Sequence, residues 1–477
     1  MRIYNHIPSI FNDVLGPVMR GPSSSHSAAA LRIGRICRDL MDGVPGKVEV
    51  RYDAADALAT THESQGSDMG IKGGLLGFEA DDPRLEDPDK HLLSAGIEVQ
   101  FVVCDTGFNL PNLYLLDLEN VDQKLEVVAI STGGGMIEVL RINGKEFSIR
   151  GDQLLDLQLA AKSGIAESAR ITRRIYPVLP VGPPGEQPLP FKSCSGMMEY
   201  NQDKKLPAWE LAVAYESIRS GISAEVVMNM MRNLYRIMRE GIDAGLRGTE
   251  YSDRILGPQS LAYQKSLDAG KLAGGEALHN ITLYVSALME VKSSMGTIVA
   301  APTAGSCGTF PGALIGVADS LDLGEEQIVK GLLAGSLVGL FIATSSTFSA
   351  EIGGCQAECG AGAGMAAAGI AWLLGGSIEQ AMGATSLALQ NSLGMICDPI
   401  AARVEAPCLG KNISSASNAL VCANMAMAGY QHLIPLDEVI ATMDRVGKSL
   451  PHELRCTALG GLSITPSAKK LEKGMKP

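Results

Sequence analysis

The segment VLPVGPPGEQPLP, residues 178–190, constrains this chain most, because it carries neither a helical nor a strand period and the hydrophobic pattern changes character across it. Before it, both periods occur. GPSSSHSAAALRIGRICRDL, from Gly21, sets a serine cluster ahead of Leu31, Ile33, Ile36 and Leu40, the spacing of one helix face. KVEVRYD from Lys47 and IEVQFVV from Ile97 alternate like strands, and LEVVAIS and GMIEVLRI, on either side of Gly133–Gly135, read as a hairpin. After Phe191 the pattern becomes long Ala/Leu/Met/Gly runs, which predict helices within 205–245, 270–295, 325–343, 359–375, 378–393 and 413–430. The small residues of AGAGMAAAGIAWLLGG let such helices approach closely. The expected architecture is multidomain: an N-terminal α+β domain over residues 1–177, a Pro/Gly-rich linker over 178–190, and an all-α domain over 191–477.

With 46% hydrophobic residues and only 5% aromatics, the core is expected to consist mainly of Ala, Leu, Ile, Val and Met, and general disorder is excluded. A net charge of −12 with no local basic patch argues against nucleic acid or an anionic membrane and favours a small-molecule partner. The start, MRIYNHIPSIFNDVLG, has no apolar run of export-signal length, and the apolar stretch Leu332–Thr344 is too short to span a bilayer, so a cytoplasmic protein with a buried helix there is expected. Ten cysteines are too sparse for a disulfide scaffold in a chain of 477 residues, which leaves metal binding as a question for some of them.

Cys355 lies in EIGGCQAECGAG, and Cys397 and Cys408 bracket CDPIAARVEAPC with ten residues between them. Thiolate ligands of an iron–sulfur cluster often sit on Gly- and Pro-bearing loops, because backbone must come close to a bulky group, and Gly353, Gly354, Pro399 and Pro407 supply that setting. Ordinary buried thiols are the other reading of the same spacing.

Five blocks, in order along both halves, carry a resemblance. GPSSSHS (Gly21–Ser27), IVAAPTAGSCGTFPGAL (Ile298–Leu314), GGCQAECG (Gly353–Gly360), LGMICDPIAARVEAPCLGKN (Leu393–Asn412) and TALGGLSITPS (Thr457–Ser467) resemble the motifs of iron–sulfur-dependent L-serine dehydratases, here in a single-chain form. The resemblance implies a [4Fe–4S] cluster held by Cys355, Cys397 and Cys408 with one iron open to a substrate oxygen, loss of water from serine to give pyruvate and ammonia, no pyridoxal phosphate, and a homo-oligomer. It implies substrate-carboxylate binding by Ser23, Ser24 and Ser25, with His26 binding carboxylate or carrying a proton; serine N-capping and a helix-face histidine are the structural alternative. Thr303, Gly305 and Ser306 of APTAGSCG are expected at the substrate, with tight packing alone as the other reading. Gln356 and Glu358 read either as outer partners of the cluster or as solvated loop residues, and Cys194, Cys307 and Cys359 as small buried residues.

The chain also departs from the family pattern. Gln65 in ESQGSD takes a histidine's place, with His62 nearby; LPNL puts Leu110 in a second histidine's place; and EVKSSMG puts Lys292 where asparagine is expected. Lys292 reads as a salt-bridged surface lysine, as an anion-binding cation, or as a base whose pKa burial depresses. These changes keep two alternatives open: the same elimination on a different, more anionic hydroxy or thiol substrate, and a non-catalytic ligand sensor on the same fold. Some family members end in a cysteine that occupies the open iron; this chain ends GMKP, and Cys456 within RCTALGG receives no role.

Overall fold

The computed structural model describes residues 6–160 and 170–475, so the first five residues of the segment read for an export signal lie outside the described residues. Two compact units divide at Pro183/Pro184, one spanning Met19–Pro183 and the other comprising Pro184 onward with the described part of Met1–Val18.

In the α+β unit, helix α1 (Ala29–Leu40) buries Leu31, Ile33, Ile36 and Leu40, as their spacing requires. Helices α2 (Ser67–Leu75) and α3 (Pro88–Ala95) lie in the crossover between strands β1 (Lys47–Asp53) and β2 (Glu98–Cys104), which pair in parallel. That long, helix-bearing connection is what parallel pairing demands. Strands β3 (Leu113–Glu119), β4 (Lys124–Gly133), β5 (Met136–Ile142) and β6 (Lys145–Ile149) complete a mixed six-stranded sheet in the order β2-β1-β3-β4-β5-β6. The β4–β5 hairpin turns on Gly133, Gly134 and Gly135, all at positive φ (102°, 61° and 86°), where a side chain would be strained. Val48, Val50 and Tyr52 of β1 point into the same core as Ile33 and Ile36, while the intervening residues face outward. Leu110, the residue in the histidine's place, packs with Leu113, Leu115 and Val128 in a small separate apolar cluster. Strands β7 (Leu155–Ala160) and β8 (Arg170–Ile175) form a two-stranded antiparallel sheet.

The other unit is helical: α4 (Cys194–Asn201), α5 (Ala208–Ser220), α6 (Ala224–Arg247), α7 (Ser260–Asp268), α8 (Glu276–Ser293), α9 (Thr309–Ser320), α10 (Glu325–Ser345), α11 (Cys359–Leu373), α12 (Ile378–Gln390), α13 (Cys408–Met427), α14 (Leu436–Ser449) and α15 (Pro466–Lys473). The predicted 205–245 run is two helices, α5 and α6, because Gly221 at φ 64° ends the first. Helix α11 is buried from Cys359 to Ala371, with α9, α10, α12 and α13 packed around it. Helix α10 is the one helix among the described residues long and apolar enough to cross a membrane, and 78% of its most apolar window is buried inside the protein.

The sequence reading gave residues 1–177 to the α+β domain, yet the first segment goes with the helices. Glu216 of α5 accepts hydrogen bonds from Ser9 Oγ (2.7 Å) and Ile10 N (2.7 Å), and Gly16 and Pro17 exchange backbone hydrogen bonds with Ala300. A polar helix residue satisfying backbone two hundred positions away leaves no trace in a local hydrophobic period.

Gly335 shows how closely these helices pack. A Cβ there would lie 2.5 Å from Phe310 Cζ and 2.6 Å from the Met365 carbonyl oxygen. Alanine gains roughly 1 kcal/mol of helix propensity over glycine, but a backbone oxygen cannot yield. We expect Gly335→Ala to destabilise the protein by about 1–2 kcal/mol net, read as a lower Tm; an unchanged or raised Tm contradicts the packing described.

Candidate metal centre

Two helix N-termini carry the cysteines. A 3-10 turn, Cys355–Ala357, leads into α11, whose first residue is Cys359, and α13 begins at Cys408. Helix N-termini favour the thiolate over the thiol. Asn412, one turn into α13, donates from Nδ2 to the carbonyls of Gly305 (2.9 Å) and Cys408 (2.9 Å) and to Cys359 Sγ (3.4 Å), which ties the two helix starts and the APTAG turn together. Cys397 comes from the Leu393–Pro399 loop and is clamped by backbone: its N–H donates to Leu454 O (2.9 Å), and Cys456 N–H donates to its carbonyl (3.2 Å).

Cys355, Cys397 and Cys408 are all buried. Sγ of Cys355, a carboxylate oxygen of Glu358 and Sγ of Cys397 lie within 4.8 Å of one another. Hydrogen bonds from the Cys359 and Cys397 thiols, helped by the Lys411 cation, hold the Cys355 thiol well below the usual cysteine range despite its burial. The donors pay the reverse: Cys359 and Cys397 are pushed up, Cys397 also by its contact with the Cys456 thiol. Burial, together with the Cys355 charge, raises Cys408, and Lys292 and Lys411 oppose that rise. For Lys411 burial works against the charge, but Cys355 and the Asp398 carboxylate at 2.6 Å outweigh it and raise its pKa.

Glu358 is the residue beside the cysteines that the sequence left undecided. Burial, then the Cys355 charge, pushes its pKa up to about 8, against a hydrogen bond of 2.6 Å from Thr303 Oγ1. A Cβ on Gly305 would lie 2.7 Å from the Glu358 carboxylate, so only glycine leaves that carboxylate its place. Ser306 closes the turn through Thr303 Oγ1 at 3.1 Å. Gln356 is fully buried and holds Met443 O (2.8 Å) and Gly394 N (2.9 Å), which removes the solvated reading for it.

Lys292 is not at the surface. It is 1% exposed, bonds through Nζ to the Val404 carbonyl, and acts electrostatically on Cys408, Glu358 and Cys307. Cys307 packs against Met289 as a small apolar residue, its pKa pushed up to about 12 by burial. Cys456 is buried beside Cys397, Cys355 and Ala350, at φ 59°. With Ala401, Ala402 and Ala458 it makes four non-glycine residues in the left-handed region near this site, each held there against roughly 1–2 kcal/mol. The sequence signal for Cys456 was weak because its contact with Cys397 spans 59 positions.

In the α+β unit, Ser23–Ser25 and His26 form a network of their own. Ser23 Oγ (3.0 Å) and Ser25 Oγ (3.1 Å) meet His26 Nδ1, and His26 Nε2 meets Thr61 Oγ1 at 2.9 Å. Thr61 donates its hydroxyl proton to Ala57 O (2.7 Å), so the neutral imidazole carries its proton on Nε2 and Nδ1 accepts from serine. Ser23 makes no side-chain cap to the helix start, so the capping alternative is not what its hydroxyl does here. His62 Nδ1 pairs with Asp68 (2.9 Å), which also accepts from Tyr52 OH, while Gln65 is buried and accepts on its carbonyl from Ser27 Oγ.

Residues 203–463, more than half of the chain, match the family described as Serine dehydratase alpha chain. The chain belongs to the serine dehydratase family. The probable L-serine dehydratase alpha chain of Bacillus subtilis (strain 168) is 36% identical over 283 residues, 59% of this chain and 94% of that protein. The L-serine dehydratase of Streptomyces coelicolor (26% identical) and L-serine dehydratase 2 of Escherichia coli K12 (27% identical) each align with 93% of this chain and 96% of their own length, so this family also includes single chains that carry both regions.

Proposed function

We propose that this serine dehydratase family member is an iron–sulfur-dependent lyase that converts L-serine to pyruvate and ammonia. The observation that carries the reading is the meeting of Cys355 and Cys397 with Glu358 at the start of α11, with Cys408 close enough to act on Cys355 electrostatically. Soft, buried sulfur donors flanked by the cations of Lys411 and Lys292 suit an anionic iron–sulfur group. Cys355, Cys397 and Cys408 would hold a [4Fe–4S] cluster, which supplies a Lewis-acidic iron that makes the β-hydroxyl a better leaving group.

The chain's own residues supply the rest. Glu358, with a pKa near 8, exchanges a proton at its carboxylate near neutral pH, and Thr303 fixes that carboxylate's orientation. Gly305 leaves it room, and Ser306 holds the turn. Ser23, Ser24, Ser25 and His26 keep their proposed substrate-binding and proton-handling roles, with the imidazole tautomer set by Thr61. After elimination the enamine tautomerises to an imine and hydrolyses in water. The ten unbridged cysteines support a reducing, cytoplasmic setting.

A second reading rests on Lys292. A buried cation in the place of an amide favours a substrate with an additional negative charge. An anaerobic panel of serine, threonine, cysteine and dicarboxylic hydroxy acids, assayed for 2-oxoacid and ammonia, separates the two. Serine is expected to yield both products in equal amounts; an inert serine beside a reactive anionic analogue overturns the serine assignment.

A further inference from the structure

Asn112 is 1% exposed and Ser131 3% exposed, yet among the described residues neither the side-chain oxygen and nitrogen of Asn112 nor the Ser131 hydroxyl has a hydrogen-bond partner. Buried polar atoms are nearly always paired, and one left unpaired costs stability, so three at one place mark a spot where a partner from outside the chain belongs. The two residues sit together. Ser131 N–H donates to the Asn112 carbonyl (3.1 Å), at the entrance to β3 and near the end of β4. Pro111 and Thr132, next to them in the chain, are exposed, so the pair lies one residue below the surface. It also adjoins the Ser23–His26 network. The turn Ser24–Ala28 packs against β4. Leu113 N–H, beside Asn112, donates to Asp56 Oδ2 (3.2 Å), and the carbonyl of the following Ala57 holds Thr61, whose hydroxyl meets His26 Nε2.

We infer that Asn112 and Ser131 complete an amino-acid site with Ser23–Ser25 and His26: Asn112 Oδ1 accepts from the substrate's α-ammonium, while Asn112 Nδ2 and Ser131 Oγ donate to its α-carboxylate. The inference deepens the proposed function and rests on its amino-acid substrate. A zwitterion needs an acceptor and donors side by side, and an amide with a hydroxyl supplies both without a net charge. The pair therefore selects a 2-amino acid over the 2-hydroxy acid of the same skeleton, because a hydroxyl offers one uncharged donor where an ammonium offers three charged ones. Backbone demand is the competing explanation for Asn112: its φ is 52°, a region that asparagine tolerates better than most residues and glycine adopts freely. Glycine separates the two explanations, since it keeps the backbone and removes the amide.

The test measures, by calorimetry on the anaerobically reconstituted full chain, the binding of L-alanine and L-lactate, which share a skeleton and carry no β-hydroxyl to lose; the KM for L-serine is read beside it. The parent is expected to bind L-alanine at least about tenfold more tightly than L-lactate. Asn112→Gly should keep or raise Tm, weaken L-alanine binding and raise the serine KM at least about tenfold each, and shrink the preference for alanine over lactate to about threefold or less. Ser131→Ala should weaken both ligands alike, by about three- to tenfold. An Asn112→Gly chain that binds L-alanine within about twofold of the parent, or that loses both ligands equally, overturns the inference, and serine turnover in the same chain leaves the lyase reading standing. L-alanine bound in the expected pattern by a chain that does not turn over serine supports this site and overturns the lyase reading. A parent chain that turns over serine but does not prefer L-alanine to L-lactate overturns the site alone.

Discussion

Cys397→Ser is expected to leave a folded, colourless protein with iron at background and turnover lowered by about a thousandfold or more, since a Lewis-acidic metal supplies several kcal/mol of transition-state stabilisation. The backbone around residue 397 is held by Leu454 O and Cys456 N, and neither bond involves the sulfur, so the substitution changes the ligand and not the loop. A hydroxyl is a poor substitute for a thiolate at iron. The stability loss should stay near 1 kcal/mol. Cys422→Ala serves as the control: that thiol lies against Asn391 and Asn418, away from the cysteines of the centre, and its loss should leave colour and turnover as they were. Iron and activity retained in Cys397→Ser, measured after anaerobic purification, would contradict the assignment.

Glu216→Ala should unfold the helical unit far more readily, by about 3–5 kcal/mol. The carboxylate is fully buried and accepts from Ser9 Oγ, Ile10 N and Ser220 Oγ at 2.6–2.7 Å. Alanine leaves two buried donors, Ser9 Oγ and Ile10 N, and the half-buried Ser220 Oγ without that partner, and a buried donor costs about 1–3 kcal/mol when unsatisfied. Glu216→Gln retains an acceptor and should cost about half as much. Burial holds the Glu216 pKa above its unfolded value, against the hydrogen bonds, so the folded state keeps a proton that the unfolded chain releases. This group's contribution to stability therefore declines as pH rises above about 4.3, and Glu216→Gln should flatten that slope. Urea titrations at two pH values read both effects; a Glu216→Ala midpoint within error of the parent contradicts the anchoring of the N-terminal segment.

Much of the fold was legible because burial imposes a period. Leu31, Ile33, Ile36 and Leu40 mark α1, Val48, Val50 and Tyr52 mark β1, and the glycines at 133–135 mark a turn that only glycine makes cheaply. The parallel β1–β2 pairing was not legible, since alternation fixes which face of a strand is buried and not its neighbour. Nor was the placement of residues 6–18, which rests on contacts far along the chain, Glu216 with Ser9 and Ile10 and Ala300 with Gly16 and Pro17. At the metal centre the sequence named Cys355, Cys397 and Cys408 through their motifs but gave Cys456 and Asn412 no part and Glu358 no settled one. Their importance comes from contacts across tens to more than a hundred positions: Asn412 with Gly305, Cys456 with Cys397, Glu358 with Thr303. Lys292 illustrates the converse, a residue type that usually lies in solvent and here is fully enclosed.

The account stands most directly on the iron and acid-labile sulfide content of the chain purified without oxygen, together with its absorption near ~400 nm. It predicts about four irons and four sulfides per chain, with that colour lost in Cys355→Ser, Cys397→Ser and Cys408→Ser alike. A chain that is colourless and free of sulfide after anaerobic reconstitution, or one whose cluster survives all three substitutions, would contradict it.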